Sequence, residues 1–444
     1  MRPFFDDTLL LSAPTAKVLY ETVRELPIVD CHCHLDPAAI REDRQFTGGL
    51  AELWLGGDHY KWRAMRMCGV PENEITGDAP MREKYRRYAE IFPLLCGNPL
   101  YYFTQLELKL LFGITEPLSS ATADSIRREA DRQLSGMRVS DILRRFRVTY
   151  VGTTDDPADP LSAHGRVGDT LVCPTFRPDR VLRMEPGALA DLEKAWGRPI
   201  GRLSDCKQAL SDRLDLFVSK GCRMADHGMD EVPLPDCGEE TAERLFAKRF
   251  DLDERGRAQL FSHLFYALAA MYKKRDLVLQ MHIGTYRNVN TAALETVGRD
   301  AGFDVMRERV DTDRLAVVLN TLHRRGELPR VILYSLVPGA VPAMATLSGA
   351  FPEVRIGAAW WFSDSLLGIR RQLETIAEYA VLGTHLGMLT DSRSFASYAR
   401  FDFFRRILAD MVGGYVERGE YDMASAERLM AALCGDNIRR WLKL

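Results

Sequence analysis

Residues 30 to 36 read Asp30-Cys31-His32-Cys33-His34-Leu35-Asp36 and follow the apolar run Leu26-Pro27-Ile28-Val29. Side chains alternate faces along a strand, so His32 and His34 project together while Cys31 and Cys33 point the other way. Two imidazoles on one face are half a metal site. Near the far end of the chain, Leu389-Thr390-Asp391-Ser392-Arg393 closes another apolar run. In extended geometry Asp391 and Arg393 share a face, offering one anionic ligand and one fixed cation. Two imidazoles plus a carboxylate leave a coordination position open for water or substrate, the arrangement of a catalytic zinc. The other reading of Asp391 is a cap on the helix that follows. Gln280-Met281-His282-Ile283-Gly284 places a third histidine at a strand end, either packed in the core or facing the same site.

These residues need elements that bring them together. Short apolar runs with strand character lie at 28–35, 148–154, 171–177, 222–228, 277–284, 330–337, 354–362 and 385–391, separated by stretches of helical periodicity. Eight near-continuous apolar strands alternating with helices predict an α/β fold, a (β/α)8 TIM barrel, whose catalytic groups gather at the C-terminal strand ends. Closure makes the first and last strands neighbours, which sets His32 and His34 beside Asp391. The spacing is uneven: residues 37–145 hold MREKYRRYAEIF, YYFTQLELKLLF and TADSIRREADRQLSGM, an expected α-helical insertion over the barrel mouth. Further helices are expected in 178–221 and 392–444. With no repeat and no Gly/Ser linker, residues 1–444 read as a single elaborated domain.

The composition narrows the partners. The chain has 444 residues, 46% hydrophobic and 27% charged, with a net charge of -3 at pH 7. It has no overall basic field for nucleic acid. The acidic start, Met1-Arg2-Pro3-Phe4-Phe5-Asp6-Asp7, and the lack of any apolar stretch of about 18 residues predict a soluble, cytoplasmic protein without a membrane partner. Nine scattered cysteines without a CxxC pair fit reduced thiols. Walker A, GxSxG and HExxH strings are absent.

The HxH of strand one, the histidine of strand five and the aspartate of strand eight resemble the amidohydrolase superfamily. Longer strings resemble the uronate isomerases within it: Asp58-His59-Tyr60-Lys61-Trp62-Arg63-Ala64-Met65-Arg66, Thr153-Thr154-Asp155-Asp156-Pro157, Arg177-Pro178-Asp179, Trp360-Trp361-Phe362 and Thr390-Asp391-Ser392-Arg393-Ser394-Phe395. The similarity runs from Phe5 to Asn437-Ile438-Arg439-Arg440. One departure is Phe401-Asp402, where that family commonly carries His-Glu.

The resemblance implies an aldose–ketose isomerase that interconverts hexuronates, D-glucuronate with D-fructuronate and D-galacturonate with D-tagaturonate. The proton passes between C2 and C1 through a cis-enediol, which requires a base, an electrophile and an anchor for the carboxylate. It further implies a divalent metal, Zn2+, on His32, His34 and Asp391, and a homo-oligomer. Tyr60, in a loop of the helical excursion, matches the family's active-site tyrosine and His59 adjoins it. Asp226 and His282 are expected as an acid/base pair across the mouth, alongside Asp391. Arg177 and Arg393 are candidates to grip the carboxylate or stabilise the enediolate. Trp360 and Trp361 supply an apolar wall, of which alternation lets only one line the cavity. The competing readings are a metal-dependent hydrolase, with Asp391 activating a bound water, and a sugar-binding scaffold that has kept the barrel.

Overall fold

Strands buried on both faces must be apolar throughout, and the runs of this chain meet that condition. In a computed structural model, which describes residues 4–444, they form β1 (Ile28–Asp30), β2 (Val148–Gly152), β3 (Thr170–Cys173), β4 (Met224–Met229), β5 (Val278–Ile283), β6 (Arg330–Ser335) and β7 (Val354–Ile356). β1, β2 and β3 pair in parallel, as do β4, β5, β6 and β7. Strand three is split at Pro174, which has no N–H to give a ladder. Its continuation, Thr175–Phe176, pairs with β4 and so carries the chain from one ladder to the other.

Two expectations about regularity need correction. The eighth run, 385–391, joins no ladder: Gly387 and Asp391 have φ of 84° and 45°, outside strand geometry. It is held instead by single bonds, with Asp391 N donating to His32 O (3.0 Å) and His34 N donating to Ser392 O (2.9 Å). Toward β7 the link is a side chain, His385 Nε2 at 3.1 Å from Gly357 O. Helices also do not separate every pair of strands. The β2–β3 connection is a turn-rich loop ending in a short antiparallel strand, Gly165–Val167.

Between β1 and β2 the helical periodicity resolves into Pro37–Arg41, Gly49–Leu55, His59–Met67, Met81–Ile91, Pro99–Phe112, Ala123–Leu134 and Val139–Arg145. Trp54, Tyr85, Tyr88 and Phe103 are buried among them. This helical layer is joined to strand eight by Arg400, itself 2% exposed. Its Nη1 donates to Thr390 O (2.6 Å) and its guanidinium lies 5.2 Å from the Tyr60 ring and 4.7 Å from that of Phe103. Among the described residues no helix is long and apolar enough to cross a membrane.

Candidate active site

The C-terminal ends of the strands surround a cavity of about 570 Å³. His32 and His34, just beyond β1, turn their rings together at 5.2 Å, and the Nε2 of each lies 3.2 Å from Asp391 Oδ1. Asp391 Oδ2 accepts from Trp360 Nε1 at 2.8 Å. The carboxylate is fixed from behind, since Thr390 N and Oγ1 donate to the two oxygens of Asp30 at 2.9 and 2.6 Å. Despite burial, the bonds from both histidines hold the Asp391 carboxyl well below its ordinary range. Burial pushes His34 down to about 4. Burial opposes protonation of His32 too, yet Asp226 and Asp391 raise it.

His282 stands beside them, its ring 4.5 Å from that of His32 and stacked at 4.3 Å on Tyr334 of β6. Its Nδ1 is 2.6 Å from Asp226 Oδ1. Nε2 is buried with no hydrogen-bond partner. Asp226 and His282 therefore sit side by side on adjacent strands β4 and β5. Burial lowers His282, whereas Arg177 and His282 keep Asp226 well below the usual carboxylate range against the effect of burial. Asp226 lies beneath the cavity, fully buried. Arg177 is pinned by two carboxylates, Nε to Asp179 Oδ2 and Nη1 to Asp226 Oδ2, both at 3.1 Å. Gly228 makes room for it: a Cβ there would stand 2.5 Å from Arg177 Nη2.

The wall differs from alternation. Both Trp360 and Trp361 line the cavity, because Trp361 has φ of 52° and starts a tight turn, Trp361–Ser363. Asp391 and Arg393 also share the cavity, but through the left-handed Asp391 and not through extended geometry. Tyr60 lies on a helix and not in a loop. Asp58 caps helix His59–Met67 by accepting from Tyr60 N and Lys61 N at 2.9 and 3.2 Å, which sets His59 and Tyr60 in the first turn. His59 lines the cavity with its ring 5.5 Å from Trp361. Tyr60 stands behind that lining, its hydroxyl buried and without a partner. Phe401 and Asp402 lie away from it; Asp402 binds Tyr20 and Arg406 instead.

The donors fit a divalent cation. Two imidazole nitrogens converge on one carboxylate oxygen, and the unpaired Nε2 of His282 is close by. Sequence reasoning missed several neighbours: Tyr334 under His282, Asp179 on Arg177, and Arg287, Asp300 and Asp304 on the rim. Asp179 was within reach, as the last residue of the quoted Arg177-Pro178-Asp179 string. The rim residues come from a connection after β5 whose polar sequence has no periodicity to mark it.

A model of the glucuronate isomerase family matches residues 1–442. The chain belongs to this family. It is 41% identical to the uronate isomerase of Marinomonas sp. (strain MWYL1), over 99% of each chain. Its structure is similar to the crystal structure of the uronate isomerase from Thermotoga maritima, with a TM-score of 0.94, 31% identity and coverage of 99% and 100%. The glucuronate isomerase from Caulobacter crescentus gives 0.93 and 27%, with coverage of 99% and 97%. Both glucuronate isomerase family structures extend over the helical layer as well as the strands, so the resemblance includes the elements that carry His59 and Tyr60.

Proposed function

We propose that this chain is an aldose–ketose isomerase that interconverts hexuronates, D-glucuronate with D-fructuronate and D-galacturonate with D-tagaturonate. The observation that carries the reading is the convergence of His32, His34, Asp391 and the free Nε2 of His282 on one cavity walled by Arg177 and Arg393. His282 is the proton carrier. With Nδ1–H donated to Asp226, the Nε2 lone pair is free, and burial keeps the ring neutral near pH 7. It takes the proton from C2; the C2–H electron pair becomes the C1=C2 bond and the carbonyl pair moves onto the C1 oxygen. The proton of the C2 hydroxyl passes to the C1 oxygen, the C2 oxygen pair forms the new C2=O bond, and the C1=C2 pair takes the proton back from the same nitrogen at C1, on the face the cis-enediol shares. No atom leaves.

The other residues follow from their charges and partners. Arg177, held rigidly by two carboxylates, is a fixed cation for the enediolate oxygen. Arg393 grips the uronate carboxylate, with His59 nearby, and Tyr60 backs the wall behind His59 and Trp361. Trp360 and Trp361 exclude water. His32, His34 and Asp391 would hold the divalent ion, for which we assign Zn2+; when bound it would polarise the oxygens on C1 and C2. Nine free cysteines suit a reducing, cytoplasmic setting.

A hydrolase needs no extended grip on a substrate carboxylate, whereas Arg177 and Arg393 on this cavity suit an open-chain sugar acid, which favours the isomerase reading. The test is incubation with D-glucuronate beside a panel of amides and lactones. Ketose formation without hydrolysis is expected; hydrolysis without ketose would overturn the assignment.

A further inference from the structure

Arg393 does not meet the cavity unpartnered. Its Nη2 lies 3.3 Å from Asp300 Oδ2, and both residues line the cavity. Asp300 belongs to a segment, 298–304, that follows the short helix Thr291–Thr296 and precedes the strand Val305–Met306. The segment is fastened by other groups. Arg63 Nη1 donates to Gly302 O (3.2 Å) and Asp304 O (3.0 Å), Arg66 Nη1 donates to Ala301 O (3.2 Å), and the Arg66 guanidinium lies 4.0 Å from the Phe303 ring. Gly302, at φ 92°, passes so near helix His59–Met67 that a Cβ would stand 3.0 Å from His59 O. Anchored in this way, the segment does not need the Asp300–Arg393 pair to stay in place. The Asp300 side chain is 61% exposed and its φ is 57°, a left-handed conformation that Asp and Asn adopt more readily than other residues with a Cβ.

We propose that Asp300 is a built-in surrogate for the substrate carboxylate. It occupies Arg393 in the empty enzyme and is displaced when the hexuronate carboxylate arrives, so that it sets the affinity for carboxylate-bearing sugars. The proposal rests on the assignment of Arg393 to that carboxylate. Asp300 meets Arg393 through Nη2 alone, and a partly exposed ion pair of this kind is weak enough to be exchanged for a better one when a second carboxylate arrives. Arg287 acts on Asp300 by charge as well, but its Nη1 already pairs with Asp304 at 3.2 Å and its Nε faces Asp230 at 3.7 Å, so the displaced side chain, already mostly exposed, turns to solvent. The consequence is a neutral, partly filled anion site that a sugar lacking the carboxylate gains nothing by entering.

The test compares Asp300→Asn, Arg393→Met and the double variant by steady-state kinetics with D-glucuronate. Asparagine tolerates the left-handed conformation, so the first change removes charge and keeps the backbone. The expected result is that D300N lowers KM by about three- to five-fold, the size of a rim ion pair, while R393M raises it. In the R393M background D300N should then have no effect, which is the signature of coupling. If R393M raises KM while D300N raises it or leaves it unchanged, Asp300 is not a surrogate and the carboxylate assignment stands. If R393M leaves KM unchanged, the carboxylate assignment itself falls and the surrogate falls with it.

Discussion

At the scale of single residues, the site depends on which polar atoms are left without partners. Several buried polar atoms have no hydrogen-bond partner, and of these His282 Nε2 belongs to a residue that lines the cavity beside His32, where a ligand can meet it. Removing both imidazoles that face Asp391, by His32→Asn with His34→Asn, should abolish retention of the divalent ion and reduce turnover by at least about a hundredfold while unfolding stays cooperative. Metal content after dialysis and the rate of ketose formation check this; full activity in a metal-free double variant would contradict it. The histidines and Asp391 were legible because polar residues that end apolar runs stand out in a sequence. The disposition of Trp360 and Trp361 was not, since it depends on a left-handed φ at Trp361 that no pattern of residue types announces.

At the scale of elements, strand eight is the irregular one, and its irregularity has a function. A regular strand would turn Asp391 by alternation; the left-handed turn at this residue aims its carboxylate at both histidines, a strain of about 1 kcal/mol that Asp30, Thr390 and Arg400 hold in place. His385 at its start is buried in a bond from Gly387 N to Nδ1 and from Nε2 to Gly357 O, so only the neutral ring fits. Burial pushes it down to about 4 from an ordinary 6.5. Below pH 6.5 the unfolded chain takes up a proton that the folded chain refuses. The stability it supports is therefore full above pH 6.5 and lost as pH falls through 4, up to about 3 kcal/mol. His34, held down to about 4, acts in the same window. Replacing His385 by glutamine, which keeps a donor and an acceptor, should flatten the fall in urea stability between pH 6.5 and 4; an unchanged slope would remove His385 from the acid transition. The apolar runs predicted where strands lie, but not that the eighth would lack a ladder, because Gly387 and Asp391 break it through backbone angles and not through polarity.

At the scale of the whole molecule, closure of the strand ring makes the site. His32 and His34 are separated from Asp391 by most of the chain, and His282 by much of it, yet the pairing of β4 with β5 and the bonds between strand eight and β1 bring them to one cavity. That much follows from counting strands in the sequence. The rim contributed by 285–310 does not, because its short strands and single-turn helix carry no apolar repeat. The most direct test of the account follows D-glucuronate deuterated at C2 by NMR during incubation with the metal-loaded protein. Formation of D-fructuronate with label carried to C1 is the predicted result. D-glucuronate recovered unchanged, its deuterium still on C2, would contradict it.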